Sequence, residues 1–286
     1  MSAIELPGAS VAITGGARGI GYATAKAFVA KGARVFIGDL DADLAKASAA
    51  ELGCTATGLD VRSRESFAAF LEMCDPPVQV LVNNAGIMPA GRYVDETDAV
   101  TDAIVDINLN GVLRGTKLAL PGMLQRGSGH IVNVASYLGK APAAGLATYC
   151  ATKHAVVGFS EALRDELAGT GVTVTALLPS AVRTDLVSGV KLDGLLPTVD
   201  PEDIADAVVE SCRSRTAIVA VPRWMRTYEA AAALAPDRFL GAVRGKLTRD
   251  RVLRSLDTSA RADYEERIRR DAETDTKTGR GKNPRR

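Results

Sequence analysis

The sequence predicts a doubly wound α/β domain built on a parallel sheet of seven strands and followed by a helical C-terminal extension. Three observations predict it. From residue 10 to residue 221, short β-branched runs alternate with longer stretches of helical pattern. Most of the runs lack strict polar/apolar alternation, as strands buried on both faces do. The intervening segments are long enough for crossover helices. No internal repeat appears and no linker divides residues 1 to 235, so these are read as one domain and residues 236 to 286 as the extension.

In chain order, the first strand is expected at Val11 to Thr14, closed by a glycine-rich turn and followed by a helical pattern through Lys31. Arg34 to Gly38 supplies the second, with Asp39 at its end, and Thr55 to Leu59 the third. Val78 to Val82 is the fourth and leads into N-N-A-G at 83 to 86. His130 to Ala135 is the fifth, with Ser136 just past it; Val172 to Leu178 and Ala217 to Val221 are the sixth and seventh. Residues 223 to 272 carry the pattern of two or three helices, with Trp224, Tyr228, Leu234 and Phe239 in the first and Val243, Leu247, Val252 and Leu256 later. That spacing suits packing onto the core or a sister subunit. The polar end, from Thr276 on, reads as frayed.

Composition narrows the class. With 47% hydrophobic and 24% charged residues, the chain reads as soluble and globular rather than disordered or fibrous. Cys54, Cys74, Cys150 and Cys212 have neither disulfide-framework nor zinc-ligand spacing, so no metal is expected and a reducing cytoplasm fits best. The start, M-S-A-I-E-L-P-G, lacks a basic segment followed by an apolar run, and no stretch is apolar enough to span a bilayer. The net charge of +1 divides into −5 over residues 1 to 235 and +6 over residues 236 to 286. Acidic residues are interspersed with the basic ones through residue 275, which blunts any continuous positive stripe, and nucleic-acid binding is not expected.

The first turn, T-G-G-A-R-G-I-G at residues 14 to 21, spaces Gly15, Gly19 and Gly21 as G-x-x-x-G-x-G between a strand and a helix. Glycines there permit a tight turn and let backbone approach a pyrophosphate, which the helix N-terminus favours electrostatically. The Walker pattern is absent, so a nucleoside-triphosphatase reading has no support. Asp39 stands 18 residues past Gly21, where a carboxylate accepts hydrogen bonds from ribose hydroxyls. This points to NAD: a 2′-phosphate about 4 Å away would be repelled by about 4 kcal/mol at an effective dielectric near 20. Arg18 offsets part of that, so NADP is disfavoured rather than excluded. Asp60, with Val61 beside it, is placed to meet the adenine edge.

N-N-A-G at 83 to 86, N-L-N-G at 108 to 111, Ser136 after the fifth strand and Y-C-A-T-K at 149 to 153, taken with the turn, resemble the short-chain dehydrogenase/reductase family over residues 8 to about 222. The resemblance implies a Rossmann-type fold, a nicotinamide cofactor and a catalytic tetrad, which falls on Asn108, Ser136, Tyr149 and Lys153. It also implies cofactor contacts from Gly15, Arg18, Gly19, Ile20 and Gly21; from Asp39, Asp60 and Val61; from Asn84, Ala85 and Gly86; from Tyr149 and Lys153; and from Pro179, Val182 and Thr184. Tyr149 and Lys153, four apart on a helix, share a face. The Lys153 ammonium favours phenolate, so Tyr149 takes the alcohol proton during oxidation and returns it during reduction. Ser136 would bond the oxygen where charge develops. By resemblance, Asn108 holds a water on the proton path and the protein forms a homodimer or homotetramer. Two positions depart from the family pattern: Thr152 stands where Ser is common, and Pro179-Ser180 where Pro-Gly is usual.

The expected activity is thus NAD(H)-dependent interconversion of a secondary alcohol and a ketone. A catalytically silent NAD-binding regulatory or scaffold protein is the rival reading. A hydrolase is disfavoured because Ser136 sits in V-A-S-Y-L without the G-x-S-x-G elbow. His130 and His154 are read as structural. Met88, Pro89 and Leu138, facing Leu186, Val187, Val190, Leu192, Leu195 and Leu196, suggest an apolar substrate lip. The extension is expected to dock on the domain or a neighbouring subunit and help close that mouth.

Overall fold

The computed structural model describes residues 3–190, 197–227, 252–253 and 256–277. Seven strands, β1 (Ser10–Thr14), β2 (Arg34–Asp39), β3 (Thr55–Gly58), β4 (Val80–Asn83), β5 (Gly129–Val134), β6 (Val172–Pro179) and β9 (Ile218–Val221), form one sheet in the order β3-β2-β1-β4-β5-β6-β9. Every pairing is parallel, with Val11 opposite Val35 on one side and Val80 on the other. The expected doubly wound architecture is the one observed, with strand ends shifted by a residue or two. A second, two-stranded parallel ribbon, β7 (Ala181–Val182) with β8 (Thr198–Val199), was not expected from the sequence; two-residue strands carry no periodicity to read.

Helices cover both faces, as continuous β-branched runs require. On one face α1 (Gly19–Ala30), α2 (Ala42–Leu52) and α7 (Pro201–Ser214) contribute Phe28, Ala49, Ile204 and Val208 to a core with Val11, Ile13 and Val132. On the other, α3 (Arg64–Glu72), α5 (Gly111–Arg126) and α6 (Ala147–Glu166) bring Phe67, Phe70, Met123 and Leu163 onto Ala12, Leu81 and Ile131. Burying a side chain such as Phe28 or Phe67 contributes about 2 to 3 kcal/mol each. Helix starts follow capping chemistry. Asp41, Ser63 and Thr97 accept hydrogen bonds from Leu44, Ser66 and Val100 N–H at the starts of α2, α3 and α4 (Asp98–Val105), and Asp200 with Asp203 forms a capping box ahead of Pro201.

The strand order reverses between β1 and β4, which opens a crevice at their carboxyl ends. Side chains stitch this point together. Thr14 Oγ1 accepts from the backbone N–H groups of Asn84 and Ala85 at 3.0 Å each, and Asn84 Nδ2 donates to the carbonyls of Thr14 at 3.0 Å and Gly15 at 2.9 Å. The glycine-rich turn and N-N-A-G are thereby held as one unit. Beyond β9, Tyr228, Leu234, Phe239, Val243 and Leu247 lie outside the described residues. One long helix of the extension, α8 (Thr258–Lys277), is described and packs against α4.

Candidate active site

A single cleft of about 670 Å³ runs along the carboxyl edge of the sheet. At one end stand Gly15, Arg18, Gly19 and Ile20; beside them are Asp39, Asp60, Val61, Asn84, Ala85 and Gly86. At the other end it is bounded by Ser136, Tyr149, Lys153, Pro179, Val182 and Thr184. All the expected cofactor-contacting residues therefore line this wall except Gly21, which works behind it: a Cβ there would sit 2.1 Å from the Gly15 carbonyl oxygen. Gly15 has φ +64°, and a Cβ would meet the Ala85 Cα at 2.9 Å. Both observations fix glycine on steric grounds.

The turn suits a pyrophosphate. It leads directly into the N-terminus of α1, whose first turn holds no acidic residue, so the positive end of the helix dipole faces the cleft. Asp39 braces the turn: its Oδ2 accepts from Ala17 N–H at 3.1 Å and its Oδ1 from Asp41 N–H at 3.2 Å. A carboxylate has about four acceptor sites, so two such bonds leave capacity for ribose hydroxyls. Arg18 reaches toward Asp41 rather than outward, with Nη2 to Oδ2 at 3.1 Å. Asp60 is paired with Arg62 at 2.9 and 3.0 Å. A nicotinamide dinucleotide fits this donor set: glycine backbone for phosphates, carboxylates for ribose hydroxyls, and an enclosed far end.

That far end holds the reactive side chains. Ser136 follows β5 and Tyr149 and Lys153 project from the first turns of α6 onto the same wall. Lys153 is only 4% exposed; its Nζ donates to the Val134 carbonyl at 2.8 Å and lies 5.7 Å from the centroid of the Tyr149 ring. Burial pulls the Lys153 pKa down to about 8. Burial pushes the Tyr149 phenol well above its ordinary value, against a smaller downward pull from the Ser136 hydroxyl and an upward push from Tyr264. Tyr149 is thus a proton donor even with the Lys153 ammonium beside it, and further positive charge in the cleft would favour its phenolate.

Asn108 behaves differently from its three neighbours. It sits in a π-helical turn, Asp106–Asn110, wedged between α4 and α5, where Gly111 N–H bonds the Asp106 carbonyl five residues back. Its side chain is fully buried: Oδ1 accepts from Ile87 N–H at 2.8 Å, and Nδ2 donates to the Ile87 carbonyl at 2.8 Å and to Thr152 Oγ1 at 3.5 Å. The amide is spent on shaping the chain past N-N-A-G. Thr152 supplies this bond with the hydroxyl it shares with Ser. Ser180 is tolerated because Arg215 is the one non-glycine residue with positive φ among those described, so the turn after β6 needs no left-handed position. His130, held between Thr173 Oγ1 and Ser211 Oγ, and His154, on the Cys150 carbonyl, lie away from the cleft wall.

Met88, Leu138, Leu186 and Val187 line the cleft as the apolar lip predicts. Val190 is buried beside them in the same apolar cluster, while Leu192, Leu195 and Leu196 lie outside the described residues. Pro89 is not part of the wall. The remaining side is supplied by α8, through Tyr264, Arg267, Ile268, Asp271 and Ala272. Sequence reasoning assigned α8 to the mouth but missed which residues face it. The signal was present in R-A-D-Y-E-E-R-I at 261 to 268, where Arg261, Tyr264 and Ile268 fall on one helical face at i, i+3 and i+7.

Arg261 anchors that helix. Its side chain is 1% exposed, and its guanidinium donates to the carbonyls of Met88 (2.6 Å), Leu186 (3.1 Å) and Ser188 (2.8 Å) and to Glu265 Oε1 (2.9 Å). One residue of α8 therefore ties the segment after β4 to the segment after β7. Gly189 gives it room, since a Cβ there would come within 2.7 Å of Arg261 Cγ.

Fold and cleft define a dinucleotide-binding α/β protein with a Ser-Tyr-Lys wall. Residues 9–193 match the family model for short chain dehydrogenases, and the chain belongs to that family. Among similar proteins, "Probable oxidoreductase EphD" of Mycobacterium tuberculosis is 34% identical over 238 residues, covering 73% of this chain and 40% of that protein. The chain thus matches less than half the length of that relative. The 2,5-dichloro-2,5-cyclohexadiene-1,4-diol dehydrogenase LinX of Sphingobium indicum is 35% identical over 223 residues, covering 72% of this chain and 89% of LinX. A crystal structure of an actinorhodin polyketide ketoreductase variant with NADPH superposes with a TM-score of 0.70 at 32% identity, covering 77% of this chain and 97% of that one. Among the described residues, no helix is long and apolar enough to cross a membrane.

Proposed function

We propose that this protein is an oxidoreductase that interconverts a secondary alcohol and a ketone, using NAD(H), with residues 1 to 235 as the catalytic domain and residues 236 to 286 as an extension over its mouth. The observation that carries the reading is the continuity of one cleft from the glycine-rich turn to Ser136, Tyr149 and Lys153. A bound nicotinamide supplies or accepts the hydride. Tyr149 gives its proton to the carbonyl oxygen during reduction and takes it from the alcohol during oxidation. Ser136 donates to the same oxygen as charge builds on it, and buried Lys153 holds the nicotinamide ribose and favours the phenolate. Asn108 maintains the Ile87 segment that borders the site and, by family resemblance, a water on the proton path.

The preference for NAD rests on Asp39, and on Asp41 beside it: two carboxylates at the adenosine end disfavour a 2′-phosphate, and Arg18 is engaged by one of them. Met88, Leu138, Leu186 and Val187 favour an apolar substrate body, in keeping with a cyclic diol for LinX and a polyketide for the actinorhodin enzyme. Steady-state turnover of a panel of cyclic and aliphatic ketones and alcohols, each with NADH or NADPH (NAD+ or NADP+ for oxidation), tests the reading. Turnover favouring NADH is expected. Tight NADH binding with no turnover of any member would support a silent nucleotide-binding protein instead.

A further inference from the structure

Tyr264 lies on α8, outside the residues matched to the family, yet its side chain forms part of the same cleft wall as Ser136 and Tyr149. Its phenol oxygen accepts the Met88 backbone N–H at 2.8 Å. A phenol has one hydrogen to donate besides what it accepts, and among the described residues no acceptor takes that hydrogen. The ring is fixed from two sides, with the Arg261 guanidinium 4.8 Å and the Arg267 guanidinium 5.6 Å from its centroid. Arg261 also holds the Met88 carbonyl at 2.6 Å, so the peptide that bonds the phenol is itself pinned by the helix that carries it. The result is a held donor across the cleft from the apolar side chains of Met88, Leu138, Leu186 and Val187.

We propose that Tyr264 is a specificity-determining residue: its hydroxyl donates a hydrogen bond to a second oxygen on the substrate, selecting ketones that carry an ester or further carbonyl near the reacting one. This inference rests on the oxidoreductase reading above. Two further observations support it. Burial pushes the Tyr264 pKa up to about 12, so the group remains a neutral donor at any working pH. Tyr264 on α8 and Tyr149 on α6 line the same cleft, so both phenols are presented to what the cleft binds. A site built to bond a substrate oxygen discriminates against an analogue lacking it, because the site's polar group is then left unpaired.

The full-length wild type and Tyr264→Phe are compared in the reduction of ethyl acetoacetate and of methyl pentyl ketone, which has methylenes where the ester has oxygens. With Tyr264→Phe, kcat/KM for the keto ester is expected to fall about tenfold, the loss of one neutral hydrogen bond, while the plain ketone changes less than about twofold. NADH affinity and thermal midpoint are measured on the same samples; NADH affinity is expected to stay at the wild-type value, and the midpoint to fall by a few degrees because Met88 N–H loses its acceptor. Equal losses on both ketones, no loss on either, or a weakened NADH affinity overturns the assignment to substrate. Wild type that reduces neither ketone overturns the oxidoreductase reading itself, an outcome distinct from equal losses on the two ketones in the variant.

Discussion

At Lys153, burial and charge oppose each other. The ammonium sits in a nearly dry wall and donates to the Val134 carbonyl, and burial lowers its pKa from 10.5 to about 8. Between those values the unfolded chain binds the proton and the folded one does not, so stability rises as pH climbs from about 8 toward 10.5. Relative to Lys153→Met, the wild type should therefore gain up to about 3 kcal/mol across that window, read from denaturant unfolding at stepped pH. A flat difference would mean the ammonium is better solvated than its position indicates. Tyr149→Phe removes one oxygen and no packing; hydride transfer should drop at least about a thousandfold while the Kd for NADH stays within about twofold, measured by single-turnover absorbance and fluorescence titration. For cofactor choice, Asp39→Ala should narrow the preference for NADH over NADPH by about tenfold or more in kcat/KM, and a wild type that prefers NADPH would refute the assignment. The same substitution also removes the bond to Ala17 N–H, so some loss with NADH is expected too. Residue placement was the most legible part of the sequence: Gly15, Asn84 and Ser136 follow strand ends, Tyr149 and Lys153 lie one turn apart on α6, and all five line one cleft. Asn108 was less so, because a pattern of letters does not reveal which backbone groups an amide will satisfy.

The elements divide by how their sequences encode them. Seven strands were readable because buried parallel strands are runs of β-branched residues with little choice of alternative, and their order follows once crossovers are right-handed. The ribbon of β7 and β8 was not, since it exists only because the chain after β6 returns over its own exit. The helix α8 is intermediate: its amphipathic spacing was visible, but its docking depends on Arg261 finding three carbonyls on two distant segments, a tertiary fact. Hydrogen bonds from a charged donor are each worth about 1.5 to 3 kcal/mol, and removing their donor leaves buried carbonyls unpaired. Arg261→Ala should accordingly free α8 locally rather than unfold the sheet, whose cores do not include it. Limited proteolysis should then cut within residues 258 to 277, and KM for ketone should rise about tenfold or more while NADH affinity changes little. Deleting residues 236 to 286 should reproduce that kinetic pattern; wild-type KM in the truncated protein would remove α8 from the working site.

At the scale of the whole molecule, the homo-oligomer we propose would form through the helix that carries Tyr149 and Lys153. The inward face of α6 holds those residues with Val156, Val157 and Leu163. Its outward face is exposed at Ala147, Ala151, His154, Gly158 and Ala162, spaced by three and four and small at every position but His154, and a Cβ at Gly158 would touch nothing within 4 Å. A helix with one face in the core and a smooth opposite face lets a second helix approach closely, and burial of α6 from both sides would hold Tyr149 and Lys153 in register with Ser136. The twofold form of such a contact pairs the stripe with its own copy, which closes into a dimer and leaves room for a second interface. Light scattering should therefore give a mass at least twice the 29.9 kDa of the chain. Gly158→Arg places a long charged side chain in the stripe without touching the cleft, and should shift the assembly toward monomer, with a lower thermal midpoint and reduced kcat. A monomeric wild type, or a Gly158→Arg variant with unchanged mass, would show that α6 faces water and that the site is held by its own chain alone.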